Sequence, residues 1–209
     1  MYNFTVPMAL MDYVPVVFFA VSAVLLLRDL YNKMFKGAYA LLAAGCVNVF
    51  LAGFCKATWK LLYAANICDF VALEEMFMPV NSMGLLFVGL SLIGMLCFKR
   101  KGVMLSVAPV AFTSSMPFIM MMVGGLGGLG TGLSVRAAKM KKAPVMVLFI
   151  LSFVCAMAMG YMSSRDSTQS WVNWVEQSIN TVSQLCLMLG VIVLHKAGMK
   201  TWTWEEAKV

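Results

Sequence analysis

The amino-acid sequence predicts an all-α, polytopic helical bundle lying in a membrane, with about seven crossing segments. Three observations predict it. Residues 14–27, 84–98 and 145–162 carry no charged side chain, whereas a helix in a soluble core keeps a polar face. The 209 residues are 62% hydrophobic and 12% charged, with a mean hydropathy of +0.87, too apolar for a soluble domain of that length. Finally, thirteen of the sixteen Lys and Arg fall in four stretches, 28–36, 99–101, 136–142 and the tail from Lys196, while six of the nine Asp and Glu fall in the alternate stretches. Such alternation is how basic side chains mark the cytoplasmic side of a bilayer.

The first segment, 7–27, starts at Pro7 and ends against Arg28. No basic region precedes it and Asp12 interrupts it, so it is expected to be a retained helix and not a cleaved leader. Segments 37–64 and 70–98 follow, each long enough at about 1.5 Å per residue to cross ~30 Å of hydrocarbon. Residues 103–135 exceed one span and fall short of two comfortable ones, and charge arbitrates between them. One crossing would divide Lys and Arg seven to nine between the two sides, whereas two crossings divide them thirteen to three, as the positive-inside pattern requires. The stretch is therefore split into 103–116 and 117–135, with the Ser- and Pro-bearing residues 113–117 as the outer turn. A re-entrant pair beside six full spans is the variant with the same connections.

Segments 144–163 and 171–195 complete the bundle and leave a short cytoplasmic tail, 196–209. The chain, 1–209, is then one transmembrane domain in the cell membrane, N-terminus outside and C-terminus inside. Trp171 and Trp174 at one end of the last segment, and Trp202 and Trp204 beyond the other, suit the two interfacial belts.

Ionisable groups within a span are expensive and normally face a bundle interior or a wet cavity. Asp12, Lys56, Lys60, Glu74, Glu75 and Glu176 all fall near the expected outer ends of their segments, where opposite charges can pair. On the second segment Asn48, Lys56, Lys60 and Tyr63 recur at multiples of three to four residues with Trp59 beside them; on the last, Asn173, Gln177, Asn180 and Gln184 repeat at three to four residues beside Glu176. Asn81 follows Pro79, whose missing N–H frees a backbone carbonyl. Asp12, Lys56, Trp59, Lys60, Glu75, Asn81, Glu176, Gln177 and Asn180 are thus the candidate ligand-binding residues of an outward-facing polar cavity. Each taken singly also has a plainer role, as a hydrogen bond between helices or, for Lys60, as a side chain reaching to the headgroups.

Gly124, Gly128 and Gly132 recur at four-residue spacing and predict close helix packing. Behind Pro117, the same glycine-rich stretch could also serve as a hinge. Gly125, Gly127 and Gly130 match G-x-G-x-x-G, but no βαβ unit surrounds them, so no dinucleotide site is expected. Six Cys without C-x-x-C are packing residues, with Cys55 and Cys68 both near the outer side as the pair open to a disulfide. The twenty Met are apolar filler. His195, the only histidine, has no His or Cys beside it and is expected at the interface, so neither a metal site nor a cofactor is expected. No H-E-x-x-H or G-x-S-x-G motif points to a membrane enzyme, and the net charge of +7 is distributed as topology and not as a nucleic-acid surface.

Seven segments with the N-terminus outside resemble the layout of small sugar-transporter folds and of trimeric cation channels, in topology alone. The Pro-Gln pair of the former family is absent, since Val16 follows Pro15 and Phe118 follows Pro117. The polar residues imply a transporter, channel or solute-binding subunit for a small polar or ionic solute. The alternatives are a receptor coupling an outer ligand to a cytoplasmic partner, or a scaffold that forms a homo-oligomer.

Overall fold

The computed structural model describes residues 4–97, 115–162 and 170–201, which form eight helices and, among the described residues, no strand. They are α1 (Val6–Met11), α2 (Tyr13–Leu30), α3 (Lys36–Ala64), α4 (Ala72–Glu75), α5 (Phe77–Cys97), α6 (Met116–Lys139), α7 (Ala143–Met162) and α8 (Ser170–Lys196). α1 with α2 and α4 with α5 each make one span. With α3, α6, α7 and α8 they give six helices apolar and long enough to cross a membrane, the shortest having 20 residues, or about 30 Å of rise. The protein is therefore a membrane protein by the character of its helices.

Their outer surfaces agree. Val17, Val24, Val147, Ile150 and Val154 are all more than half exposed, which suits helices whose solvent is lipid. In that solvent the helices are held together by close packing and interhelical hydrogen bonds, because apolar contact alone gains little over contact with lipid tails.

Prolines shape both composite spans. Pro15 cannot donate to the carbonyl of residue 11, and Pro79 cannot donate to that of residue 75; the helix breaks one turn earlier in each case, at Asp12 and at Met76. α6 instead starts on its proline, with Pro117 in the first turn, where a missing N–H is harmless. It then runs unbroken to Lys139 through its glycines.

Packing closes the spans into a ring: α2 on α3, α3 on α5, α5 on α6, α6 on α7, α7 on α8, and α8 back on α2. α5 and α6 are the tightest pair. A Cβ added at Gly128 would lie 2.7 Å from Gly89 Cα, and one at Gly89 would lie 2.6 Å from the Gly125 carbonyl oxygen. The contacts climb both helices together, from Asn81 with Met122, through Gly89 with Gly128 and Leu92 with Gly132, to Met95 with Arg136. α5 and α6 therefore run parallel.

The packing face differs from the predicted one. Gly124 has open space around its Cβ position, while Gly125, Gly128 and Gly132 meet α5. Steps of four residues drift about 40° each around a helix, whereas steps of three and then four stay on one side.

On the other side of α5, Gly45 of α3 meets Gly84 and Val88, and Gly84 meets Asn48 and Val49, an antiparallel contact. α8 and α2 share an end, since His195 bonds Asp29.

Two ends follow from these directions. Asp12, Lys56, Lys60, Asp69, Glu74, Glu75 and Glu176 gather at one, hereafter the acidic end. Arg28, Lys33, Lys36, Arg136, Lys139, Lys141, Lys142, Lys196 and Lys200 gather at the other, the basic end. The half of the ring towards the basic end is filled by the apolar core, in which Leu26, Leu30, Leu42, Val88, Leu92, Leu133, Phe149 and Val191 are buried. Residues 103–114 of the expected seventh segment lie outside the described residues.

Candidate functional site

The break at Asp12 turns its carboxylate inward, where it meets α3. Asp12 Oδ2 lies 2.8 Å from Lys60 Nζ, and both side chains are less than a tenth exposed. Removing one member of such a pair leaves the other buried and unbalanced, at about 3–5 kcal/mol. Asp12 is not fully used, however: its Oδ1 is buried without a hydrogen-bond partner. The next residue, Tyr13, ties the same helix to α3 through its hydroxyl, 3.0 Å from Thr58 Oγ1.

Lys56 lies one turn from Lys60 on α3. Its ammonium sits 4.2 Å from the centre of the Phe77 ring, a favourable placement for a cation. It feels the charges of Lys60, Asp12, Glu176 and Glu74, so four helices contribute to one electrostatic cluster. Glu74 is half-buried and belongs to it, whereas Glu75 is exposed. Consecutive residues on a helical turn point about 100° apart, and α4 gives the inward direction to Glu74.

Trp59 is almost fully buried, but its indole N–H donates to Asp69 Oδ1 at 2.9 Å. With Phe4 and Tyr63 it makes an aromatic group, and Phe4 lies over the Lys60 ammonium at 5.2 Å. Phe4 therefore covers the ion pair, and Trp59 backs Phe4 and anchors the α3–α4 loop.

Inward of this cluster the ring encloses a cavity of about 120 Å³, to which all six spans contribute. Pro15, Phe19, Val49, Phe50, Leu85, Leu126 and Leu129 form its apolar wall; Asn81, Ser152, Asn180, Ser183 and Gln184 form its polar one. Phe77 lines the cavity as well as carrying Lys56 on its ring, and so stands between the charges and the space below. Ser183 Oγ donates to the Ser152 carbonyl at 2.8 Å and fixes α8 against α7. Asn81 Nδ2 points at Met122 Sδ, 3.8 Å away.

Glu176, Gln177, Thr181 and Gln184 follow one face of α8 from the acidic end to the cavity. Each has a buried side-chain oxygen without a partner. Of the residues predicted from sequence, Asn81 and Asn180 line the cavity, Gln177 and Glu176 lead into it, and Asp12, Lys56 and Lys60 form the charged cluster above. Trp59 supports that cluster and Glu75 stands apart. Cys55 and Cys68 are both free thiols, so the disulfide is not formed.

A second polar cluster, at the basic end, was not expected. Asp29 is 1% exposed. Both of its oxygens accept from His195 Nδ1, at 2.8 and 3.0 Å, and Arg28 Nη2 reaches the other ring nitrogen of the same histidine. Arg136, also 1% exposed, donates to Met95 Sδ at 3.0 Å and faces the charge of Asp29. His195 is thus a link between α8 and α2, and not the isolated interfacial residue its sequence surroundings suggest. The one available signal was Asp29 itself, an acid among basic residues.

Among the described residues no group of His, Cys, Asp and Glu could hold a metal ion. No family model matches the chain, and no curated protein or solved structure is found to be similar to it.

Proposed function

We propose that the protein is a transporter, channel or solute-binding subunit that takes a small polar or ionic solute at its central cavity, with the acidic end outside the cell membrane. One observation carries this: a cavity on the axis of the ring, walled by all six spans, polar on α5, α7 and α8, and backed towards the basic end by packed apolar side chains. Pockets with an apolar wall and a few convergent polar groups are where small ligands bind. Asn81, Gln177, Asn180 and Gln184 frame the solute, Asp12, Glu74 and Glu176 supply negative charge at the entrance, and Lys56 is their charge partner.

The parallel run of α5 and α6 supports the seventh crossing. α5 ends at the basic end and α6 begins at the acidic end. The described Lys and Arg at the basic end then lie inside, as basic side chains do, and the C-terminus with them. Gly128 and Gly132 are engaged by α5 of the same chain, which leaves a scaffold role with Gly124 alone of its three glycines.

Uptake and binding assays on Lys56→Met test the site. Solute uptake or binding should change by tenfold or more while the thermal midpoint of the purified protein moves little. Unchanged uptake and binding with only a shifted midpoint would refute it. Cysteine placed at Lys139 should resist a membrane-impermeant thiol reagent on intact cells; labelling there would overturn the orientation.

A further inference from the structure

We infer that the solute bound at this site is a small primary ammonium ion with a short carbon tail. This rests on the solute-binding proposal above and names its chemistry.

The hydrogen-bonding groups along the α8 face are unbalanced. The buried oxygens of Glu176, Gln177 and Gln184 have no donor, and the Thr181 hydroxyl, which can accept or donate, has no partner. Several nearby donors are already engaged, the Ser183 hydroxyl with the Ser152 carbonyl, the Asn81 amide with Met122 Sδ and the Lys60 ammonium with Asp12, while the Lys56 ammonium rests on the Phe77 ring. Buried polar atoms are almost always satisfied by protein, water or ligand, and acceptors are satisfied by a group that brings N–H donors. An ammonium brings three and no acceptor. An anion or a carbonyl would add acceptors where acceptors are in surplus.

Charge and shape agree with a cation. Asp12 neutralises Lys60, and Glu74 and Glu176 together outnumber Lys56 at the entrance. Phe50 and Phe77 line the cavity, and aromatic rings attract organic cations. The apolar lining of Val49, Leu85 and Leu126 suits methylene groups. A volume of about 120 Å³ equals that of about four waters, room for a ligand of roughly four to six heavy atoms.

Lys56 makes the sign of the effect diagnostic. As a like charge at the entrance it opposes a cation, so Lys56→Met should tighten ammonium binding, whereas it should weaken the binding of an anion.

Purified full-length protein in lipid nanodiscs should be titrated with ethanolammonium and propylammonium chloride, with sodium acetate and glycolate, and with neutral acetamide, at equal ionic strength. Thermal midpoint is the readout. The ammonium salts should raise it in a saturable way while the anions and acetamide do not. Gln184→Leu should weaken ammonium binding about tenfold or more, the loss of one buried hydrogen bond to a charged group. Thr181→Val, nearly isosteric, carries the same test should Gln184→Leu fail to fold. Stabilisation by acetate or acetamide and not by the amines overturns this inference and leaves a solute site standing. Stabilisation by no probe, together with unchanged uptake in Lys56→Met, overturns both. Ammonium binding that is indifferent to Gln184, Thr181 and Lys56 also overturns the inference, because it places the cation elsewhere.

Discussion

The two ends of the ring each bury an aspartate of α2, and they use it differently. Asp29, at the basic end, has both oxygens bonded to His195, with Arg28 and Arg136 beside it. Asp12, at the acidic end, has one oxygen on Lys60 and the other unpaired, and further unpaired oxygens on α8 continue towards the cavity. A carboxylate with both oxygens bonded, amid packed apolar side chains, joins helices. An unsaturated one above a cavity has capacity left for something that is not part of the chain.

Asp29→Ala gives the largest effect expected from this contrast. It removes the acceptor of His195, takes a neighbouring negative charge from Arg136 and opens the α2–α8 contact, at about 3–5 kcal/mol, to be read as a large fall in thermal midpoint. Asp12→Asn leaves the buried Lys60 without its counter-charge and should cost about as much; a much smaller loss there would show that the acidic end tolerates an unbalanced charge and would sharpen the distinction between the two ends. Gly128→Leu comes next. Its side chain would have to enter the backbone contact with Gly89, and overpacking of this kind costs about 1–3 kcal/mol.

Lys56→Met should follow, changing stability by less than about 1 kcal/mol, because the lysine rests on Phe77 and not in a direct ion pair. Its binding or uptake should nonetheless change. Gly124→Leu should be smallest, within about 0.5 kcal/mol, since nothing lies near its Cβ position. Together the two glycine variants show whether the face of α6 is the one seen here, by the same denaturation measurement.

Hydropathy and length alone were enough to locate five of the six described spans, whereas 117–135 came from dividing a longer apolar stretch by charge. Segments 37–64 and 144–163 lie within a residue of α3 and α7, because lipid-facing helices are apolar all round and need no partner to be recognised. Helix depth was legible too, which is why Asp12, Lys56, Lys60 and Glu176 could be placed at one level. Rotation about the helix axis was less so. Glu74 and Glu75, or Gly124 and Gly125, differ by one residue and so by about 100°, and only a neighbouring helix decides between them.

Which helices are neighbours was not legible at all. His195 and Asp29 are separated by 166 residues, and nothing local indicates that α8 closes on α2. Asp69 was likewise read only as part of a loop, although it receives the Trp59 indole N–H.

That last separation has a consequence during synthesis. At about 5–20 residues per second, the partner of Asp29 leaves the ribosome roughly eight to thirty seconds after it. For that interval α2 is in the translocation machinery or the bilayer with an acid that its final neighbour has not yet met, and the barrel of helices stands open along one seam. Insertion of the last helix closes the seam, supplies the acceptor-lined wall and satisfies the acid in a single event, so a nascent chain halted before α8 would present an exposed carboxylate to membrane quality control.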